Sequence, residues 1–216
     1  MVHVKVCGVT RLEDAVLAAE LGAAAVGFVF WPGSPRYVDP ARAARIVRAM
    51  PPMTTAVGVF VDQPLDEVRR MAEEGGLGAV QLHGSESPDY CRQVGRRVIK
   101  SLAVAGGERP VEIDLFPEGM TLLLDARDPV RRGGTGQTID WNVAALVAAE
   151  RRVILSGGLD PGNVAAAIEK VRPYAVDVAS GVEERPGMKE ASKLRAFFEA
   201  VRRTAASDAL EHRECR

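Results

Sequence analysis

The chain has 216 residues, of which 47% are hydrophobic, and its 28 basic and 29 acidic residues give a formal net charge of −1. This length and composition predict one soluble domain with a substantial buried core. A charge so close to zero gives no electrostatic basis for binding nucleic acid or a membrane surface. The three cysteines, Cys7, Cys91 and Cys215, suggest no disulfide framework, and the start MVHVKV lacks the apolar stretch of a signal peptide. We therefore expect a cytoplasmic protein.

Short apolar runs alternate with stretches of helical periodicity along the chain. The predicted strands span residues 3–6, 25–30, 56–61, 79–82, 97–102, 121–124, 152–155 and 175–178. The predicted helices span residues 12–21, 41–50, 65–74, 88–94, 142–150, 163–171 and 190–203. The connection 105–119 contains Pro110 and Pro117, so we predict a short or irregular fifth helix there.

Apolar strands that each precede a helix indicate a parallel sheet covered by helices, because parallel strands need crossover connections. Eight such units predict an α/β protein with a single (β/α)8 TIM barrel over residues 1–204. An open doubly wound sheet is the alternative, but it often has a dominant glycine fingerprint after its first strand, where only Gly8 stands. Residues 205–216 have mixed charge and no apolar stripe, which predicts a frayed polar tail.

Reactive side chains stand at the ends of several predicted strands, which is where a barrel of this type carries its active site. Cys7 follows the first strand, Gln81 and His83 the fourth, and Asp125 the sixth. Cys7 could instead be a small buried apolar residue, His83 could satisfy a core hydrogen bond, and Asp125 could belong to a turn. Their common position at the barrel mouth favours Cys7 and Asp125 as reactive groups and leaves His83 as a reserve acid or base.

Glycine-containing loops follow the sixth, seventh and eighth predicted strands. Their small and polar residues are Gly133, Gly134, Thr135 and Gly136, then Ser156, Gly157 and Gly158, then Ala179, Ser180 and Gly181. Neighbouring loops at this end of a barrel often bind phosphate, because exposed backbone N–H groups and a helix N-terminus attract anions. We predict one phosphate site formed by all three loops, and the alternative is three tight turns without a ligand.

Lys5 lies two residues before Cys7, so strand alternation directs both side chains into the barrel interior. A buried lysine needs a partner. The eighth strand adjoins the first when a barrel closes, and Asp177 can face inward there. We therefore predict a buried ion pair between Lys5 and Asp177, with a catalytic assistant role for Asp177 as the alternative.

Arg36 lies in the loop after the second predicted strand, where Pro32 and Pro35 stiffen the chain. A loop of this kind could hold the guanidinium over the barrel mouth. Arginine binds carboxylates through two parallel hydrogen bonds, so Arg36 is a candidate carboxylate-binding residue. An exposed arginine without a partner is the alternative.

Many ordered motifs in the chain resemble those of the phosphoribosylanthranilate isomerase family. They are KVCGVT from Lys5, GFVF from Gly27, SPRY from Ser34, VGVFV from Val57, VQLHG from Val80, LD from Leu124, GGTG from Gly133 with DW from Asp140, LSGGL from Leu155 with Asn163 and Val164, and VDVASGVE from Val176 with Pro186 and Gly187. The resemblance covers roughly residues 4–198. Two positions depart from the family pattern: Ala179 where a serine is expected and Ile139 where a phenylalanine is expected.

The resemblance implies a (β/α)8 barrel that performs an Amadori rearrangement of N-(5-phosphoribosyl)anthranilate to 1-(2-carboxyphenylamino)-1-deoxyribulose 5-phosphate, a step of tryptophan biosynthesis. It implies Cys7 as general base, Asp125 as general acid and Arg36 as the residue that binds the substrate carboxylate. We add His83, Gly134, Thr135, Gly136, Gly157, Gly158, Ser180 and Gly181 as candidate substrate-binding residues. We expect no cofactor, no metal, no nucleic-acid or membrane partner, and a monomer or homodimer.

Two other functions remain open for the same barrel. A different sugar-phosphate isomerase or epimerase would use the phosphate site without needing Arg36. A regulator that only binds a phosphate metabolite would not depend on Cys7 and Asp125.

Overall fold

Eight parallel strands close into a barrel in the computed structural model, which describes residues 2–104, 107–126 and 139–214, with side chains as far as Thr204. The strands are β1 His3–Val6, β2 Ala25–Val29, β3 Thr55–Phe60, β4 Ala79–Leu82, β5 Arg97–Val104, β6 Thr121–Ala126, β7 Val153–Leu155 and β8 Ala175–Val178. Strand β1 pairs with β8 and places Lys5 opposite Asp177. The predicted barrel is confirmed, and the open doubly wound sheet is wrong.

Helices follow the strands and cover the outside of the barrel. They are α1 Leu12–Glu20, α2 Pro40–Ala49, α3 Leu65–Glu74, α4 Pro88–Gln93, α5 Trp141–Glu150, α6 Val164–Val171 and α7 Ala191–Glu214. Local chemistry starts several of them: the side chain of Asp39 accepts a hydrogen bond from the backbone of Arg42 in front of α2, and that of Ser87 accepts one from Tyr90 in front of α4. In the described part of the connection between β5 and β6 lies a 3-10 turn, Val111–Leu115, as the two prolines of that connection predicted.

Two features after β8 differ from the sequence-based prediction. Helix α7 continues to Glu214, whereas the predicted helix ended at Arg203 and gave way to a frayed tail. Residues 204–214 include several good helix formers, and their propensity extends the helix without an apolar stripe. A small antiparallel hairpin, β9 Glu183–Arg185 and β10 Met188–Lys189, was not predicted. Within the described residues, no helix combines the length and apolar composition that crossing a membrane requires.

Strand alternation divides the core into two layers. Side chains that point outward, such as Val6, Phe28 and Leu124, pack against the helices in the main core cluster. Alternate side chains point into the barrel, where Leu123, Ile154 and Ala175 form a separate apolar cluster. The interior positions nearer the C-terminal strand ends are polar and include Lys5, Gln81, Asp125 and Asp177, all of them buried. The interior therefore changes from apolar to charged toward the mouth.

Candidate active site

A cavity of about 350 Å³ opens at the C-terminal ends of the strands. Its walls include Cys7, Arg36, Gln81, His83, Asp125, Ser156, Gly157, Gly158, Asp177, Ser180 and Glu183. The structure thus brings together the predicted acid, base, arginine and two of the three predicted phosphate loops. The third predicted loop, with Gly134, Thr135 and Gly136, lies outside the described residues.

Cys7 lies directly after β1, where its backbone N–H donates to the carbonyl of Val178 at 2.8 Å. The thiol is buried against Gly27 of β2, where an added Cβ would lie only 2.8 Å from the Cys7 Sγ. Any larger residue at position 27 would therefore displace the sulfur. Burial raises the pKa of the Cys7 thiol above its usual value, although the positive charges of Lys5 and Lys189 oppose the shift. The thiol form therefore dominates at neutral pH.

Asp125 is the fifth residue of β6 and points into the cavity, where only 6% of its surface is exposed. Burial raises the pKa of this carboxyl to about 6, although a hydrogen bond from the Ala126 backbone N–H to Oδ1, at 2.8 Å, opposes the shift. Gly157 provides the room for this side chain, because an added Cβ there would lie 3.2 Å from Oδ1. Asp125 can therefore carry a proton near neutral pH, as a general acid must.

His83 stands beside Asp125. Its Nε2 lies 3.6 Å from Oδ2 of Asp125, and its Nδ1 lies 3.0 Å from Nε2 of Gln81. Because an amide nitrogen only donates hydrogen bonds, Nδ1 accepts and Nε2 carries the ring proton in this arrangement. That Nε2 N–H lies between two acceptors, the Ser101 hydroxyl at 3.5 Å and Oδ2 of Asp125 at 3.6 Å.

Lys5 and Asp177 form the predicted interior ion pair, with 2.8 Å between Nζ and Oδ1. Burial would lower the pKa of Lys5, but the neighbouring charges of Asp177 and Cys7 outweigh it and raise that pKa. The hydroxyl of Ser156 lies 3.5 Å from the other oxygen of Asp177. The pair thus fills the interior directly below the cavity and places a positive charge near the Cys7 thiol.

Arg36 is buried rather than exposed, and a carboxylate of the chain itself holds it. Its Nε donates to Oε1 and Oε2 of Glu183 at 3.0 and 3.2 Å, and its Nη2 donates to Oε2 at 2.8 Å. The stem of Arg36 runs over Gly8, where an added Cβ would lie 2.4 Å from Cδ. The interpretation of Arg36 as an exposed residue without a partner is therefore wrong.

The β9–β10 hairpin contributes residues that the sequence analysis did not select. Lys189 is buried, and its Nζ donates to the carbonyls of Cys7 at 2.6 Å and Ala179 at 3.0 Å and to Oε1 of Glu183 at 2.9 Å. A Pro-Gly turn is a common signal for a hairpin, and Pro186 and Gly187, with φ of 80° at the glycine, form one here. That signal could have found the hairpin but not its ion pairs.

The loops after β7 and β8 touch each other. Gly157 and Gly158 have φ values of 87° and 62°, which side chains with a Cβ rarely adopt. Gly181 packs so closely on the β7 loop that an added Cβ would lie 2.0 Å from the carbonyl oxygen of Leu159. The predicted adjacency of these loops is therefore confirmed. Among the described residues, no group of three His, Cys, Asp or Glu side chains could hold a metal ion.

Comparison with known proteins places the chain in one family by sequence. The family model described as N-(5'-phosphoribosyl)anthranilate (PRA) isomerase matches residues 4–200. An N-(5'-phosphoribosyl)anthranilate isomerase from a Geobacter species is 52% identical over 197 residues, which cover 91% of this chain and 96% of the relative.

Solved structures agree in fold and sequence. The phosphoribosyl anthranilate isomerase of Thermotoga maritima superimposes with a TM-score of 0.87 at 43% identity, covering 94% of this chain and 99% of that one. A phosphoribosyl anthranilate isomerase in complex with reduced 1-(o-carboxyphenylamino)-1-deoxyribulose 5-phosphate has a TM-score of 0.83 at 41% identity, with coverages of 94% and 99%. The barrel, the arrangement of its mouth and these matches together show that the chain belongs to the N-(5'-phosphoribosyl)anthranilate isomerase family.

Proposed function

We propose that this chain converts N-(5-phosphoribosyl)anthranilate to 1-(2-carboxyphenylamino)-1-deoxyribulose 5-phosphate in tryptophan biosynthesis. The observation that carries the proposal is the pairing of two proton-transfer groups in one cavity: Asp125, whose pKa burial raises to about 6, and the Cys7 thiol. Family membership supports the same reaction.

Asp125 acts as the general acid. As the bond between C1 and the ring oxygen of the ribose breaks, the oxygen takes the proton of Asp125 and C1 becomes part of an iminium ion with the anthranilate nitrogen. The resulting Asp125 carboxylate accepts the backbone N–H of Ala126, which stabilises its negative charge, and Nε2 of His83 lies 3.6 Å from its other oxygen. We also propose His83 as a substrate contact, since it lines the cavity.

Cys7 acts as the general base. Its thiolate removes the proton from C2 of the iminium ion, and the C–H electron pair forms the C1–C2 double bond of an enolamine while nitrogen becomes neutral. The enolamine then tautomerises to the ketone, so the atoms of substrate and product balance. Lys5 and Lys189 lie near the sulfur and favour the thiolate electrostatically, against the effect of burial. The isomerisation has no net oxidation, so we propose that it needs no cofactor.

The two ends of the substrate bind on opposite sides of these groups. We assign the phosphate to the backbone N–H groups near Gly157, Gly158, Ser180 and Gly181, together with the predicted 134–136 loop. Ala179 removes one expected hydroxyl donor but leaves these backbone donors in place. We assign the substrate carboxylate to Arg36, whose guanidinium lines the cavity.

Direct turnover tests the proposal. Freshly prepared N-(5-phosphoribosyl)anthranilate should lose its anthranilate fluorescence when the protein is added, and chromatography should show the ketose product. Folded protein without this turnover would refute the proposal. Turnover of other sugar phosphates without an aromatic carboxylate would favour a different isomerase or epimerase. The buried guanidinium of Arg36 at the mouth instead favours a substrate that carries a carboxylate.

We further propose that the protein is cytoplasmic and is a monomer or a homodimer. We propose no membrane partner and no nucleic-acid partner, because the small net charge of the chain gives no electrostatic attraction to either. Light scattering on the purified chain would give the oligomeric state.

A further inference from the structure

Glu183 is the centre of a buried cluster of charges at the edge of the cavity. Its carboxylate accepts the Arg36 fork, the Lys189 ammonium at 2.9 Å and the backbone N–H of Gly187 at 3.1 Å. Its own backbone carbonyl accepts from Lys193 at 2.9 Å. Thr10 fixes the turn of the hairpin through a 2.6 Å hydrogen bond to the carbonyl of Gly187. Glu183 is thus held from several directions.

The three ionised side chains that meet at the Glu183 carboxylate, its own included, carry one excess positive charge. Burial opposes ionisation of Glu183, but the hydrogen bonds from Arg36 and the charge of Lys189 outweigh it and hold the pKa of this carboxyl below its usual value. Burial also lowers the pKa of Lys189, yet its three acceptors match the three N–H groups of an ammonium, whereas a neutral amine could supply only two. Arg36 and Lys189 therefore outnumber Glu183, and one carboxylate from outside would neutralise the group.

Arg36 has five N–H donors, and its fork to Glu183 uses only the edge formed by Nε and Nη2. All side-chain hydrogen bonds that Arg36 makes with described residues go to Glu183. The other edge, formed by Nη1 and Nη2, has the geometry that binds a second carboxylate in a bidentate manner. Glu183 already fixes the edge formed by Nε and Nη2, which we call the inner edge. The guanidinium therefore loses little freedom when the outer edge, formed by Nη1 and Nη2, binds a ligand.

We propose that Glu183 is a positioning residue: it aims the outer edge of Arg36 at the substrate carboxylate and leaves the cluster with a charge that a single carboxylate neutralises. This inference rests on the proposed function for the identity of the ligand. It also assigns the β9–β10 hairpin a role in substrate selection, because Glu183 and Lys189 lie at its two ends. Without Glu183, Arg36 keeps its charge but loses its fixed orientation.

The test measures binding, so it does not depend on turnover. The probes are reduced 1-(2-carboxyphenylamino)-1-deoxyribulose 5-phosphate and the same compound without its carboxylate, measured by isothermal titration calorimetry. We expect Glu183→Gln to weaken binding of the carboxylate compound about 10- to 100-fold, the usual cost of losing a well-made hydrogen bond to a charged group. The compound without the carboxylate should change by less than about threefold, since its phosphate and ribose contacts remain.

The matched control is Glu199→Gln, which removes the same charge from an exposed pair with Arg203 on α7; it should leave both affinities unchanged. In an Arg36→Gln background, Glu183→Gln should have no further effect on either compound, because the residue it positions is gone. Glu183→Asp keeps the charge but retracts it by one methylene, and we expect the same selective loss should Glu183→Gln not fold.

Equal loss for both compounds would show that Glu183 only supports the fold, and tighter binding of the carboxylate compound would show that Glu183 competes with the substrate. Either result overturns the inference, as does an unchanged affinity. Wild-type protein that binds with the expected selectivity but does not turn over N-(5-phosphoribosyl)anthranilate would leave the positioning role standing and refute the proposed function.

Discussion

The dependence of activity on pH follows from the burial of Asp125 and Cys7. The reaction needs Asp125 protonated and Cys7 ionised, whereas the pKa of Asp125 is about 6 and the pKa of Cys7 lies above its usual value of 9.0. At neutral pH the predominant form is therefore the reverse one, carboxylate with thiol. With the two pKa values at least about three units apart, the active form is at most roughly one molecule in 10³.

The fraction of molecules with both a protonated Asp125 and a Cys7 thiolate sets the shape of the pH profile. Between the two pKa values, each unit of pH raises the thiolate fraction tenfold and lowers the protonated Asp125 fraction tenfold, so their product stays constant. We predict that kcat/KM is flat from about pH 6 to above pH 9. It should fall about tenfold per unit below this range, where thiolate is lost, and above it, where the carboxyl proton is lost.

Asp125→Asn removes the dependence of the rate on a protonated carboxyl and leaves its dependence on the Cys7 thiolate. Its kcat should fall about 10²- to 10⁴-fold, the usual cost of losing a proton-transfer group, and the remaining rate should rise with pH as the thiolate forms. The assay is steady-state turnover followed by anthranilate fluorescence, with alkylation of Cys7 by iodoacetamide as an independent measure of thiolate. Cys91→Ser, a buried thiol on α4, is the matched control and should lose almost no activity.

A wild-type profile with a sharp optimum near pH 7, or an alkylation rate that levels off below pH 8, would refute the reasoning, because it would mean a lowered pKa for Cys7. A flat profile in Asp125→Asn would instead transfer the acid role to His83 or Asp177. Cys7→Ser should lose as much activity as Asp125→Asn, and the double variant should lose less than the product of the two, since both act on one reaction path.

Three further predictions concern binding and stability. Arg36→Met should raise KM more than it lowers kcat and cost about one and a half to three decades in kcat/KM in steady-state kinetics, because the carboxylate it binds does not change during the reaction; a collapse of kcat alone would contradict this. Lys5→Met leaves Asp177 buried without its ion-pair partner and should lower the free energy of unfolding by about 3–5 kcal/mol in urea titrations, whereas a loss below about 1 kcal/mol would mean that water reaches this pair. Inorganic phosphate should inhibit competitively, and a crystal soaked in phosphate should show the anion against Gly158 and Ser180; an anion elsewhere in the cavity would count against the assigned site.

The sequence by itself determined the barrel and the residues that follow its strands. Apolar runs of four to six residues with intervening helical periods left little choice of architecture, since parallel strands need crossovers. Strand parity placed Lys5 and Cys7 on the interior side, and closure of the barrel then paired Lys5 with Asp177. These conclusions depend only on local periodicity and on one rule of topology, so they could be reached without coordinates.

Only the tertiary structure decided the electrostatic state of the site. The partner of Arg36 is 147 residues away on a hairpin of two short charged strands, and charged residues in sequence normally indicate an exposed surface. The raised pKa values of Cys7 and Asp125 come from burial, which depends on how closely the neighbouring strands and loops pack around each group. Local sequence specifies which groups can titrate, but desolvation and long-range contacts set the pH at which they do so.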